Sequence, residues 1–165
     1  MESREDYVVG WLCRLPVEVA AAKAALDRVH DNLPTDQVSD GNNSYILGNL
    51  QGHNVVVAYP KVYGESSLAD VNAQLHASYP SVQFKLMVGI AGGVPDTNDD
   101  VRLGDVVVSK SAAGWLGVLE YDVNGERPKD QIALGSALDQ PTLLLRTAMG
   151  KAETAAIFQI GRAHV

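Results

Sequence analysis

Cysteine is nearly missing from this chain of 165 residues, in which Cys13 stands alone. A single thiol excludes a disulfide scaffold and a thiolate metal cluster, and it points to a reducing intracellular compartment, the cytoplasm. Basic residues are also short: 13 Lys and Arg face 20 Asp and Glu, leaving a net charge of −7. A duplex or polyanion binder needs the opposite sign, so nucleic acid is not the expected partner. No apolar run reaches the roughly 18 residues that span a bilayer. The opening residues, MESREDYVVGWL, carry acids where an export signal wants a basic stretch, so no membrane association is expected. The histidines, His30, His53, His76 and His164, lack metal-ligand spacing, so neither a metal nor a cofactor is predicted. Repeats and low-complexity tracts are absent as well.

What is present reads as one globular domain. Hydrophobic residues make up 46% and charged residues 20%, enough to build a core rather than a disordered chain. Residues 7–12 (YVVGWL) form a short apolar run that predicts a buried strand. Pro16 then suits a first helical position, and Val19, Ala22, Leu26 and Val29 carry a helical stripe through about His30. Residues 31–43 are rich in Asp, Asn, Pro and Gly and read as a loop. Residues 44–50 and 53–59 are strand-like and flank Gln51-Gly52, a hairpin signal. Leu68, Val71, Leu75 and Tyr79 mark a second helix with Ser66 as its predicted N-cap. Residues 84–90 form a third core strand and end in a glycine-rich stretch. Strands are predicted again at 104–110 and 116–121, a polar loop at 122–130, and a helix from Pro141 to about Ala156. Alternating strands and helices predict an α/β fold with a substantially parallel sheet. Ligands of such sheets bind beyond the carboxyl ends of the strands, where residues 14–18, 62–67 and 89–94 are expected to converge.

Three motifs in those segments admit a structural and a functional reading. GIAGGV, from Gly89 to Val94, is either a tight turn or a cradle in which backbone approaches a ligand closely. Its spacing fits neither the dinucleotide fingerprint nor a phosphate-binding P-loop. Glu18 either complements the helix N-terminus or acts as a general base that orients water. Tyr63, Gly64 and the serines after them either lead into a capped helix or hold an anion or hydroxyl at its start. If the three segments line one pocket, Glu18 should lie within about 15 Å of Gly92, the reach of one small ligand.

At GIAGGV followed by VRLGDVVVSK, the chain resembles the purine/uridine phosphorylase superfamily, which includes nucleosidases. The likeness extends upstream through YVVGWLCRLPVEVAAAKAALDRVH, SYILGNLQGHNVVVA and VYGESS, and downstream through GVLEYD and IALGSALDQPTLLL. It is most similar to fungal nucleoside-phosphorylase-like domains, which often front multidomain receptor-like proteins. The resemblance implies a three-layer α/β/α sandwich around a mixed, largely parallel sheet. It also implies cleavage of a nucleoside N-glycosidic bond by water or phosphate. Glu18 would take the position of the carboxylate near the nucleophilic water. Gly89, Ile90, Ala91 and Gly92 would cradle base and ribose, and Tyr63 and Gly64 would border the same pocket.

Departures from that pattern favour hydrolysis over phosphorolysis, or no chemistry at all. Met87 and Ile90 stand where an Arg-Ser phosphate clamp would be, and neither can hold an anion. Cys13-Arg14-Leu15-Pro16 replaces a Gly-Asp-Pro loop, leaving Arg14 as the remaining contact for an anion. No residue from 120 to 159 matches the ribose-contacting Met-Glu pair or the acid that protonates the leaving base. The final residues, Ile160 to Val165, are what ATC GGA AGA GCA CAC GTC encodes, a string similar to the start of a short-read sequencing adapter. Residues 1–159 are therefore expected to be the N-terminal portion of the domain, and 160–165 a foreign tail. The expected ligand is a nucleoside, with phosphate as a further candidate. The expected context is a homo-oligomer or a longer multidomain chain, in which the alternative role is non-catalytic nucleoside sensing or oligomerisation.

Overall fold

Strand β1 (Val9–Leu12) lies between two parallel partners, β4 (His53–Pro60) and β5 (Phe84–Met87). Beside β4 runs the antiparallel β3 (Asn43–Leu50), and the two-residue β2 (Arg28–Val29) pairs antiparallel with β3. The order across this five-stranded mixed sheet is β2-β3-β4-β1-β5. The computed structural model describes residues 2–31, 41–64, 66–93, 101–109 and 141–162. The chain divides into two units, Met1–Val94 and Pro95–Val165, and the sheet belongs to the first.

Alternation along β4 sends its side chains to opposite faces, and each face receives one helix. Val55 and Val57 pack with Cys13, Val19, Ala22 and Leu26 on the side of α1 (Pro16–Ala25). Val56 and Ala58 pack with Val71, Leu75 and Tyr79 on the side of α2 (Leu68–Ser78). On that second face Tyr79 meets Tyr7 and Tyr45 edge to face, at centroid distances of 6.0 and 5.2 Å. The sheet is mixed in a more even way than expected: β4-β1 and β1-β5 are parallel, while β2-β3 and β3-β4 are antiparallel.

The hairpin falls at Gln51-Gly52, with φ of 50° and 82°. Two consecutive positive values match the twist of the flanking strands. Gln51 holds the less favourable position because its N–H donates to Asp27 Oδ2, and Gly52 N–H donates to Asn49 Oδ1 at 3.1 Å.

Three element boundaries of the first unit differ from expectation, the plainest being β5, which ends at Met87 rather than at Ile90. The first helix stops at Ala25 rather than near His30, and Leu26 is already extended at φ −67°, ψ 132°. Sheet hydrogen bonds take over there: Asp27 N–H reaches Asn49 O at 2.9 Å and His30 N–H reaches Leu47 O at 2.8 Å. Leu26 stays in the core from its extended position, whereas Val29 is 46% exposed. The N-cap of α2 is Ser67, not Ser66. Its Oγ accepts from Asp70 N–H at 3.2 Å while Asp70 Oδ2 accepts from Ser67 N–H at 2.9 Å, a reciprocal pair that Ser66, with Ala69 three residues on, could not form.

In the second unit, residues 104–109 are not a strand. Gly104, at φ 98°, sits in a turn closed by Arg102 N–H to Asp105 Oδ2 at 2.8 Å. A strand needs a ladder partner, and among the described residues Val106, Val107 and Val108 have none and are 89, 76 and 62% exposed. The helix expected from Pro141 to about Ala156 is α3 (Leu143–Arg162), which starts two residues later and runs past the expected end. The predicted strand at 116–121 and the loop at 122–130 lie outside the described residues. Among the described residues no helix is long and apolar enough to cross a membrane.

Candidate functional site

Because β4, β1 and β5 are neighbours and mutually parallel, their carboxyl ends share one edge of the sheet. The segments leaving that edge are 61–64 after β4, 13–15 after β1 and 88–93 after β5. Glu18 stands over the middle of the row. Pro16 opens α1, so Glu18 is the third helical residue and its side chain turns back toward the loop. Its Oε2 accepts from Arg14 N–H at 2.8 Å and Leu15 N–H at 2.9 Å. Its Oε1 accepts from Ile90 N–H at 3.1 Å, which ties the β1–α1 loop to the segment after β5.

These contacts decide the electrostatics of the carboxylate. Partial burial pushes the Glu18 carboxyl up, but the N–H groups of Arg14, Leu15 and Ile90, with the Arg14 charge, outweigh it and hold the group below the usual carboxylate range. Glu18 is therefore ionised at neutral pH and a weak base. A carboxylate has about four acceptor positions, so three N–H bonds leave one free on Oε1. That position can take a hydroxyl or a water.

Gly89 makes this arrangement possible. A Cβ at Gly89 would sit 2.5 Å from Glu18 Oε1, inside any real contact distance. Gly89→Ala is expected to push the carboxylate off Ile90 N–H, and the Ile90 amide should then exchange about tenfold faster, the loss of one charge-assisted hydrogen bond. Unchanged exchange at Ile90 would show that the bond does not hold the loop. Gly92 has no such constraint, because nothing lies within 4 Å of its hypothetical Cβ. Two Cα steps of ~3.8 Å beyond Ile90 keep Gly92 inside about 12 Å of the carboxylate. Glu18 and the glycine segment are thus close enough to serve one small ligand. Ala91 and Gly92 are exposed along the same stretch.

On the β4 side, Tyr63 and Gly64 lie beyond the strand end, and Gly64 at φ 92° needs the freedom of glycine. Tyr63 is 40% exposed. Its ring is 12° from parallel with that of Tyr59, with centroids 6.4 Å apart. Tyr59 packs in the α1-side core with Cys13, whose N–H donates to Ala58 O at 3.0 Å and continues the β1–β4 pairing. Burial, then the neighbouring Tyr59 and Cys13, push the Tyr63 hydroxyl up. Burial, then Glu18, push the Cys13 thiol up to about 11.

The sequence did not single out Tyr59 or Cys13 as members of this site. A signal existed: Tyr59 shares a strand face with Val55 and Val57, which puts it on the same side as Glu18. Met87 and Ile90, at the expected clamp positions, are 72% and 69% exposed. Among the described residues no group of three or more His, Cys, Asp or Glu could hold a metal.

Comparison with known proteins finds similarity to a much longer chain. Over 147 residues, 89% of this chain, the sequence is 40% identical to a nucleotide-binding leucine-rich repeat (NLR)-like protein of Hyaloscypha variabilis. The chain spans about 15% of that relative's length. No family model and no solved structure matches.

Proposed function

We propose that this chain is a recognition module of a longer multidomain protein and that it binds a nucleoside at the shared strand ends. The observation that carries the reading is Glu18, whose carboxylate joins two loops of the edge and keeps one acceptor position open beside Gly89. A ribose offers hydroxyl donors to such an acceptor, and Gly89 lets a ligand approach the backbone closely. The length of the NLR-like relative supports a module rather than a stand-alone enzyme.

Hydrolysis of the bound nucleoside is the second reading, favoured by that same open acceptor, which could orient a water. A carboxylate held below its usual range is a poor base, so any turnover through Glu18 is expected to be slow. Phosphorolysis is not expected, because Met87 and Ile90 offer no charge to phosphate.

Calorimetric titration with adenosine, inosine and uridine, paired with chromatography of released base, tests both readings. The expected result is saturable binding of at least one nucleoside, no phosphate-dependent release and at most trace hydrolysis. Failure of all three to bind would remove the nucleoside reading. Rapid phosphate-dependent release would overturn the module assignment.

A further inference from the structure

Among the described residues the tyrosines divide into two kinds. Tyr7 and Tyr79 are fully buried and close the α2-side core. Tyr63 stands on the loop after β4, between the exposed Val62 and the turn at Gly64, and packs its ring along that of Tyr59. Tyr59 is itself anchored among Cys13, Val55 and Val57. The result is a ring fixed from behind by a second ring, with 40% of the residue open at the edge that also carries Glu18.

We propose that Tyr63, backed by Tyr59, is a stacking platform for the planar heterocycle of the bound molecule, whose hydroxyl-bearing end is taken by Glu18. The proposal rests on the nucleoside reading and deepens it by assigning the base its own contact. A tyrosine has only two side-chain torsions to fix, so a ring held in advance by Tyr59 loses little freedom when a ligand lands on it. Stacking uses the π-face that every base shares, so the platform selects aromatic ligands without choosing among bases. Register supports the division of labour: Leu12 pairs with Ala58, so the residues that follow, Cys13 and Tyr59, leave adjacent strands side by side. The ring pair and the carboxylate thereby flank the same buried thiol.

The test uses the full chain with adenosine and free adenine as probes, comparing wild type with Tyr63→Leu and Tyr63→Phe. Tyr63→Leu should weaken binding of both probes about tenfold or more, the usual worth of one base–aromatic stack, while Tyr63→Phe stays within about twofold. Saturation transfer from the adenine ring protons to the Tyr63 ring reads the same contact in the wild-type protein, without relying on a variant that folds. Equal affinity of Tyr63→Leu and wild type for adenosine, or absence of transfer, overturns the platform and leaves the nucleoside reading standing. Tyr63-dependent binding of adenine with no binding of adenosine, inosine or uridine does the reverse. If wild type binds neither probe, the platform falls, and the nucleoside reading falls with it when inosine and uridine also fail to bind.

Discussion

Leu75→Ala is expected to lower the free energy of unfolding by about 2–5 kcal/mol, a large share of the ~5–15 kcal/mol that holds a domain together. Leu75 is fully buried on α2 and packs in a cluster with Tyr7, Leu47, Val56, Val71, Tyr79 and Val82. The strand beneath it is unusually close, because β1 carries Gly10 there. A Cβ at Gly10 would lie 2.7 Å from Leu75 Cδ2 and 3.1 Å from Val82 Cγ1. That approach makes the truncation costly. Gly10 has no side chain that could swing into the space left by the leucine, and the edge-to-face tyrosines hold the far wall in fixed orientations. Val17→Ala is the matched control, since Val17 is 56% exposed on α1 and its loss should stay within about 0.5 kcal/mol. Urea unfolding of both variants reads the difference, and equal midpoints would mean that α2 is not seated on β1 as described.

Most of the first unit was legible because its signals were local and agreed with one another. YVVGWL, the Gln51-Gly52 turn and the stripe Leu68, Val71, Leu75, Tyr79 each specify an element without reference to distant chain. Local pattern and structure part where the decisive partner is distant in sequence. Leu26 and Val29 continue a helical spacing, yet the carbonyls of Leu47 and Asn49 capture the backbone at Asp27 and His30, and no pattern within residues 16–30 announces them. GDVVVSK has strand composition, but composition does not supply a ladder, and its valines are exposed. The strand ends were legible as the place where three segments meet, and no mechanism was. Glu18 and Gly89 were singled out for chemistry or ligand approach, and the structure adds that each fixes the other. Sequence spacing could not reveal that three backbone N–H groups would converge on one carboxylate. The ring pair is half visible in sequence: Tyr63 lies in a strand-end segment, whereas its contact with Tyr59 depends on how the chain turns after β4.

Alkylation of Cys13 in the native protein at pH 7.5 should run at least two orders of magnitude slower than in the urea-unfolded chain. Only the thiolate reacts, and a thiol pushed up to about 11 is ionised far less than a free one at ~8.5. The first cause is burial beneath α1, and the second is the Glu18 carboxylate, whose negative charge disfavours another beside it. Closure of the core around the sulfur slows access further, and the pH profile separates the two effects. The unfolded rate should level off above about pH 9, whereas the native rate keeps climbing tenfold per unit toward pH 11. Stability follows the same linkage. The raised thiol favours the folded state fully below the unfolded value near 8.5, and the advantage erodes by about 1.4 kcal/mol per pH unit as the pH climbs toward 11. Glu18→Gln supplies the second arm. Removing the charge should bring the Cys13 thiol down and speed native alkylation, while burial keeps the rate well below that of the unfolded chain. A native rate that levels near pH 8.5 would contradict burial of the thiol. A Glu18→Gln variant that reacts as slowly as wild type would mean that the carboxylate is not beside Cys13. The strand-end site would then lose the group that connects its glycine side to its aromatic side.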